Sequence, residues 1–359
     1  MKAKTGKEAR SSQKPQAAKA GSRLTDRLKR FDFLTFMIEH REIPLLMVLA
    51  VFLLVVTIII PGYISGNYIT ILRNSSMNLV MASGMLCVLL IGSIDISVAA
   101  VLELAAVVAG VMMRDGRISS ILGMFAVGIG VGVIAGLING TVVSFGRVLP
   151  IIVTLGMTYF ARGLIPMDFL LGMDKISSTQ LVEPFKSFIL KPFLGIPVIV
   201  YISLGVVVVI GLFLKYTTVG RSIYATGSNP EAARMRGVKV QWIKVLAHVI
   251  CGATAGMAGI MRLGFYNAIE KDAASGQEMY VIAACVLGGV SVMGGYGKIT
   301  GVVVGAILVA AIDSAIPQLF TGQTMMTDLF KGLLILAAIL LNVLVQRATA
   351  KRNLIGRGI

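Results

Sequence analysis

Ten long apolar runs dominate this sequence and limit what it can fold into. They lie near residues 44–60, 77–92, 94–113, 119–143, 149–171, 195–214, 242–263, 278–290, 300–319 and 327–346. A helix needs roughly 20 apolar residues to cross a bilayer. Most of the runs approach that length. The eighth, 278–290, is too short for a regular span and leads into glycine-rich sequence, which membrane depth tolerates only where protein or a cavity shields it. Of the 359 residues 56% are hydrophobic and 14% charged, whereas soluble proteins carry about 25% charged residues. A soluble enzyme, a disordered chain and a secreted disulfide scaffold are all excluded. The expected fold is an all-α polytopic membrane protein with about ten transmembrane helices, two inverted four-helix repeats and some helices broken.

Charge sets the orientation. The net charge is +16, and of 33 Lys and Arg residues 11 lie in 1–42, six in 215–247 and four in 346–359. Loops rich in Lys and Arg stay cytoplasmic, and each such residue near the surface gains about 1 kcal/mol from anionic headgroups. Membrane lipid, and no nucleic acid, is the expected partner of this charge. Ten crossings place 173–194 and 264–277 outside and both basic termini inside. Nine would export one of those termini. Arg114 and Arg117, in an outer loop, run against the rule.

Three regions follow. Residues 1–42 read as a basic cytoplasmic tail, largely disordered, and not as a cleavable signal, because the first long apolar run begins after residue 43. Within it, 23–42 suits a short surface helix or a plain linker equally. Residues 43–346 form the transmembrane domain, with 215–241 as a cytoplasmic loop, and 347–359 form a second basic tail.

Runs two to five and seven to ten form two sets, each with a glycine-interrupted break, at Ile91-Gly92-Ser93-Ile94-Asp95 and at Leu287-Gly288-Gly289 through Gly294-Gly295-Tyr296-Gly297. Interrupted helices in inverted halves point to a transport path. Glycines four apart (Gly128, Gly132, Gly136, Gly140; Gly252, Gly256; Gly297, Gly301, Gly305) make smooth faces for close helix packing.

Asp95 and Glu103 are the acids deepest in apolar sequence. A carboxylate at the bilayer centre costs on the order of 2.5–3.5 kcal/mol, so each needs a wet cavity, a cation or a helix to cap. Asp95 follows a break and suits capping and path lining alike. Glu103, two turns on, faces the same cavity or pairs with Arg162; Arg162 either does so or snorkels to an interface. Asn139, Asp313 and Asn342 suit bonds between helices. Cys87, Cys251 and Cys285 read as buried thiols, and His248 as a structural histidine. No nucleophile–base pair or metal set is evident, so neither an enzyme nor a cofactor is expected.

In Thr226-Gly227-Ser228-Asn229-Pro230-Glu231-Ala232-Ala233-Arg234-Met235-Arg236-Gly237, Ser228 or Asn229 can cap and Pro230 suits the first helical position. Glu231 favours the positive helix end, and Gly237 ends the helix. Glu231-Ala232-Ala233 with Gly237 resembles the Glu-Ala-Ala-x-x-x-Gly loop of permeases in ATP-binding-cassette importers. Three further stretches are similar to the ribose, galactose and autoinducer-2 branch of that family. They are Gly92-Ser93-Ile94-Asp95-Ile96-Ser97-Val98, Thr154-Leu155-Gly156 with Arg162-Gly163-Leu164, and Ile282-Ala283-Ala284-Cys285-Val286-Leu287-Gly288-Gly289 with Gly294-Gly295-Tyr296-Gly297. The match runs over about 44–346. Ser93 and Ala99 stand where the family usually has glycine, and Glu278-Met279-Tyr280 stands where many sugar permeases have Glu-Leu-Asp.

The resemblance implies a permease subunit in a bacterial cytoplasmic (inner) membrane. Its implied partners are a cytoplasmic ATP-binding subunit, an extracytoplasmic solute-binding protein and a second permease subunit, identical or not. The resemblance assigns Asn229, Pro230, Glu231, Ala232, Ala233 and Gly237 to ATPase coupling. Motif position and polarity at membrane depth make Asp95, Ser97, Thr154, Arg162 and Glu278 translocation-path residues. The implied cargo is a small neutral solute such as a monosaccharide, with autoinducer-2 or rhamnose as alternatives. Gly297-Lys298-Ile299 lacks the Ser/Thr and the upstream glycine of a phosphate-binding loop, so ATP energy has to come through a partner. From another class, an ion-coupled secondary transporter would use Asp95 and Glu103 as proton or cation sites.

Overall fold

The computed structural model describes residues 42–165, 175–176, 181, 183, 185–319 and the isolated positions 329, 332, 333 and 336. The two basic tails (Glu42 apart) and, beyond those isolated positions, the tenth apolar run lie outside the described residues. Each of the other nine runs contains a helix. These are α1 (Glu42–Ile59), α2 (Tyr63–Leu90), α3 (Val98–Arg114), α4 (Ile121–Ser144) and α5 (Pro150–Leu164). After a one-turn helix, α6 (Phe185–Phe188), come α7 (Val198–Tyr216), α8 (Thr218–Ser228) and α9 (Pro230–Met235). The described helices close with α10 (Val240–Tyr266), α11 (Gln277–Leu287) and α12 (Ile299–Leu319). Of these, α4, α7, α10 and α12 are long and apolar enough to cross a membrane.

Helix α2 starts well before its apolar run. The polar residues ahead of Met77 bond to the helix's own carbonyls: Ser76 Oγ donates to Leu72 O at 2.6 Å, and Asn67 Nδ2 to Tyr63 O at 2.9 Å. Satisfied in this way, they let the helix continue where hydropathy stops. Its second half is the centre of the protein. From Met77 to Ile91 every residue but Asn78 is buried, and α10, α12, α7 and α11 pack around it.

Layering follows from burial. Within their most apolar stretches only 28% of α4 and of α7 is covered by the protein itself, against 61% of α10 and 67% of α12. The uncovered side chains are apolar, among them Ile134, Ile138, Val209 and Leu212, as lipid requires. The glycine stripes pack within the chain. A Cβ at Gly132 would overlap the Gly252 carbonyl, and one at Gly256 the Gly128 carbonyl, so α4 and α10 cross backbone to backbone. Gly301 and Gly305 bring α12 equally close to Gly288 and Ala284 at the end of α11.

Two antiparallel pairs of two-residue strands pin loops. They are β1 (Lys175–Ile176) with β4 (Ile269–Glu270), and β2 (Pro192–Phe193) with β3 (Ile196–Pro197). The first pair joins the chain after α5 to the chain after α10.

Candidate functional site

Helices α2 and α11 end in the same way. After α2, Gly92 adopts φ 73° and Ser93 N donates back to Val88 O. After α11, Gly289 adopts φ 81° and Val290 N donates back to Cys285 O. Both are left-handed closures that need glycine and release the chain sharply from the helix. The two released segments meet. Gly295 N donates to Leu90 O at 2.8 Å, and a Cβ at Gly294 would sit 2.9 Å from Gly92 N and 3.0 Å from Gly227 O.

Gly227 belongs to α8, a helix the sequence reading missed because its glycines, Thr218 and Val219 give little helical signal. A Cβ at Gly227 would overlap the Leu90 carbonyl. Tyr224 OH, one turn earlier, donates to Gly297 O at 2.8 Å. Burial pushes this phenol up to about 12, so it remains a donor at neutral pH. One junction therefore ties both breaks to α8 through backbone and one phenol.

Helix α9 follows immediately. Asn229, the alternative to Ser228, is its cap: Oδ1 accepts from Ala232 N at 3.0 Å. Pro230 occupies the first turn, Gly237 at φ 82° closes the helix, and Val238 N returns to Ala233 O. Ala233 is buried, whereas Glu231, Arg234 and Met235 are exposed. Glu231 pairs with Arg234, at 3.0 Å.

Three of the five expected path residues come together beyond the first break. Asp95 Oδ1 accepts from Ser97 N at 2.9 Å and from Ser97 Oγ at 2.6 Å, closing a turn immediately ahead of α3, whose N-cap is Ser97. Asn139 Nδ2, from the α4 stripe, donates to Ser97 Oγ at 2.9 Å and to Asp95 Oδ2 at 3.4 Å. Thr154 Oγ1, from α5, reaches Ile94 O at 3.5 Å. All four side chains are at most 2% exposed.

Arg162 stands apart, eight residues or about 12 Å along α5 from Thr154. Its Nε contacts Glu103 Oε2 at 3.2 Å and Asp272 Oδ1 at 3.3 Å. Glu103, fully buried, also accepts from Ala274 N at 2.6 Å. Pairing, rather than snorkelling, accounts for both buried charges. Arg262, in the last two turns of α10, donates through Nη2 to Ala273 O and lies 4.8 Å from the Tyr266 ring centre. Glu278 opens α11 just beyond. Sequence reading passed over Arg262, although a lone cation between Met261 and Leu263 carries the signal that drew attention to Glu103. At the end of α3, Arg114 bonds Asp115 at 2.7 Å and holds its carboxyl below the usual range, so this arginine's charge is offset locally.

Two glycine-broken helices that meet backbone to backbone, with a buried polar cluster beyond the first break and membrane-length apolar helices around them, are the pattern of a membrane transport protein. Residues 67–339 match the family described as "Branched-chain amino acid transport system / permease component", and the chain belongs to that family of transport permeases. It is 31% identical to the ribose import permease protein of Escherichia coli K12 over 316 residues, covering 88% of this chain and 96% of that one. It is 34% identical over 326 residues to the autoinducer 2 import system permease protein of Yersinia enterocolitica, covering 89% and 87%. With the ribose import permease protein of Haemophilus influenzae, identity is 33% over 307 residues, covering 85% and 93%. No solved structure matches it.

Proposed function

We propose that this permease is the membrane-spanning subunit of an ATP-driven importer for a small neutral solute, most simply a monosaccharide. Likeness to two ribose import permeases supports the sugar reading; autoinducer 2 is the nearest alternative. The chain crosses the inner membrane ten times, in two inverted four-helix sets, with both basic tails in the cytoplasm. A soluble binding protein delivers solute from outside, a second permease subunit completes the path, and a cytoplasmic subunit hydrolyses ATP.

One observation carries this reading. Helix α9 presents exposed Glu231, Arg234 and Met235 to a partner, and the residue before its cap, Ser228, lies against Gly295 in the junction of both helix breaks. Motion delivered to α9 reaches Leu90, Gly92 and Gly294 through Gly227 and Ser228 at the end of α8, and through the first break Asp95, Ser97 and Thr154. Asn229, Pro230, Glu231, Ala232, Ala233 and Gly237 are thus the coupling residues. Asp95, Ser97, Thr154, Arg162 and Glu278 line the path.

Reconstitution of the assembled transporter in proteoliposomes tests this. Glu231→Ala removes an exposed pair worth about 0.5 kcal/mol or less, so the protein inserts and folds while ATP-driven uptake is lost. Gly237→Ala adds about 1–2 kcal/mol of strain at a left-handed position with the same loss. Normal uptake in both variants sinks the coupling assignment. Unchanged uptake and solute-stimulated ATPase with alanine at each path residue sinks the path. Uptake by this chain alone, driven by an ion gradient, would make it a secondary transporter.

A further inference from the structure

The lipid-facing side of α7 ends in a feature that the transport path does not use. Tyr201, Leu204, Val208 and Leu212, spaced by three or four residues, are exposed along one side of the helix. With 19 residues the helix is about 28 Å long, close to a hydrocarbon core of about 30 Å. Tyr201 and Tyr216 therefore lie near the two membrane boundaries, where aromatic rings collect. At the Tyr201 end the exposed stripe continues into the hairpin of β2 and β3. The Phe193 ring meets the Tyr201 ring edge-on at 5.7 Å, and Tyr201 OH donates to Phe193 O at 3.0 Å. Phe193 is 60% exposed and Leu194, at the tip, 85%.

The tip is strained and its base is fixed. Leu194 and Gly195 both adopt left-handed backbone, at φ 49° and 81°. Two-residue hairpin turns of that kind favour asparagine, aspartate or glycine in the first place, because a larger side chain there crowds its own carbonyl. Leu194 is exposed, so packing within the chain does not repay that strain. Val198 N donates to Lys191 O and Ile199 N to Ile189 O, both at 3.1 Å. Ile189 and Phe185 are buried and lie against Gly264 near the end of α10. A rigid mount thus presents an apolar tip to something outside the chain.

We propose that the β2–β3 hairpin is a membrane anchor: Phe193 and Leu194 enter the boundary between headgroups and acyl chains of the bilayer. Continuity selects lipid over a protein partner, since Tyr201 belongs both to the lipid-facing stripe and to the hairpin's contact with Phe193. Lys191, exposed at the hairpin's base, is available to headgroup phosphates. The anchor fixes the height of α7 in the bilayer and, through Ile189 and Phe185, the level at which the end of α10 is held. It requires only that α7 crosses the membrane, and is independent of which solute is carried and of what drives it.

A nitroxide label tests this by depth. Leu194→Cys and, separately, Phe193→Cys are labelled in the full-length permease and reconstituted in vesicles of phosphatidylethanolamine and phosphatidylglycerol. Cys87, Cys251 and Cys285 are buried, so the introduced thiol takes the label. Val208→Cys, in the stripe, is the lipid reference, and Lys271→Cys, exposed in the loop after α10, the water reference. Collision rates are measured with oxygen, which concentrates in lipid, and with a water-soluble nickel chelate. The expected oxygen-to-nickel ratio at position 194 lies well above that of Lys271→Cys and corresponds to a depth of about 5–10 Å. A ratio equal to that of Lys271→Cys overturns the anchor. Low collision rates with both reagents place a protein partner on the hairpin, a second copy or another subunit, and overturn it too. Phe193→Cys gives the same readout one residue away, so a folding failure at one position leaves the other to decide.

Discussion

The two ends of α10 are built on opposite principles. At its start, beside α8 and α9, the contacts run largely backbone against backbone: Gly227, Gly294 and Gly295 leave no room for a methyl group, and Gly92 leaves little. At its far end, Glu103, Arg162 and Asp272 meet through ion pairs, and Arg262 donates to Ala273 O. A glycine junction transmits displacement with little slack, because nothing between the backbones can rotate away. A charged cluster holds geometry less tightly.

The largest effect expected from breaking this contrast lies at the charged end. Glu103→Leu strands Arg162 with only the more exposed Asp272 and costs about 3–5 kcal/mol, read as detergent-solubilised thermal stability. The double variant Glu103→Leu with Arg162→Leu recovers much of that, since an apolar pair of similar volume replaces a buried ion pair at little net cost. If the double variant is no more stable than the single one, the ion pair is not what Glu103 contributes. At the glycine end, Gly295→Ala meets both a φ of 75° and the Ser228 backbone, with a loss of about 1–3 kcal/mol from overpacking. A loss below about 0.5 kcal/mol would show slack in the junction.

A smaller effect sharpens the comparison. Tyr224→Phe removes one hydrogen bond, to Gly297 O, for about 0.5–1.5 kcal/mol. The pH dependence has a definite sign. With the folded phenol raised to about 12 from an ordinary 10, its contribution is complete below pH 10 and is lost as pH rises through 12. Between pH 6 and 9 the difference between Tyr224→Phe and wild type is therefore constant. A difference that varies across that range contradicts the assignment.

The helices and the capping of α9 were largely legible in the sequence. Hydropathy located nine runs that contain helices, and Asn229, Pro230 and Gly237 act in α9 as local capping chemistry requires. Those signals are local, so one sequence carries them. The start of α2 was hidden because Ser75, Ser76 and Asn67 look like loop residues until their bonds to helix carbonyls are seen. Helix α8 was hidden because Gly220 and Gly227 serve tertiary approach rather than flexibility. Partnerships across the chain were the least legible. The sequence placed Asp95 and Ser97 near a break, but the bond from Asn139, 42 residues beyond Ser97, depends on how closely two glycine stripes let α4 and α10 approach. Arg162 and Asp95 were grouped by polarity and motif position, and the structure gives them different neighbours.

In the proposed function, ATP-driven motion enters the bundle through the glycine junction. Gly227→Ala in the reconstituted transporter tests it most directly, with ATP hydrolysis and D-ribose or D-galactose uptake measured on the same vesicles. Its methyl group displaces the Leu90 carbonyl and parts α8 from the first break. The expected result is continued ATP hydrolysis with uptake reduced at least about tenfold, the equivalent of 1.4 kcal/mol in coupling. Uptake at the wild-type ratio to hydrolysis contradicts it.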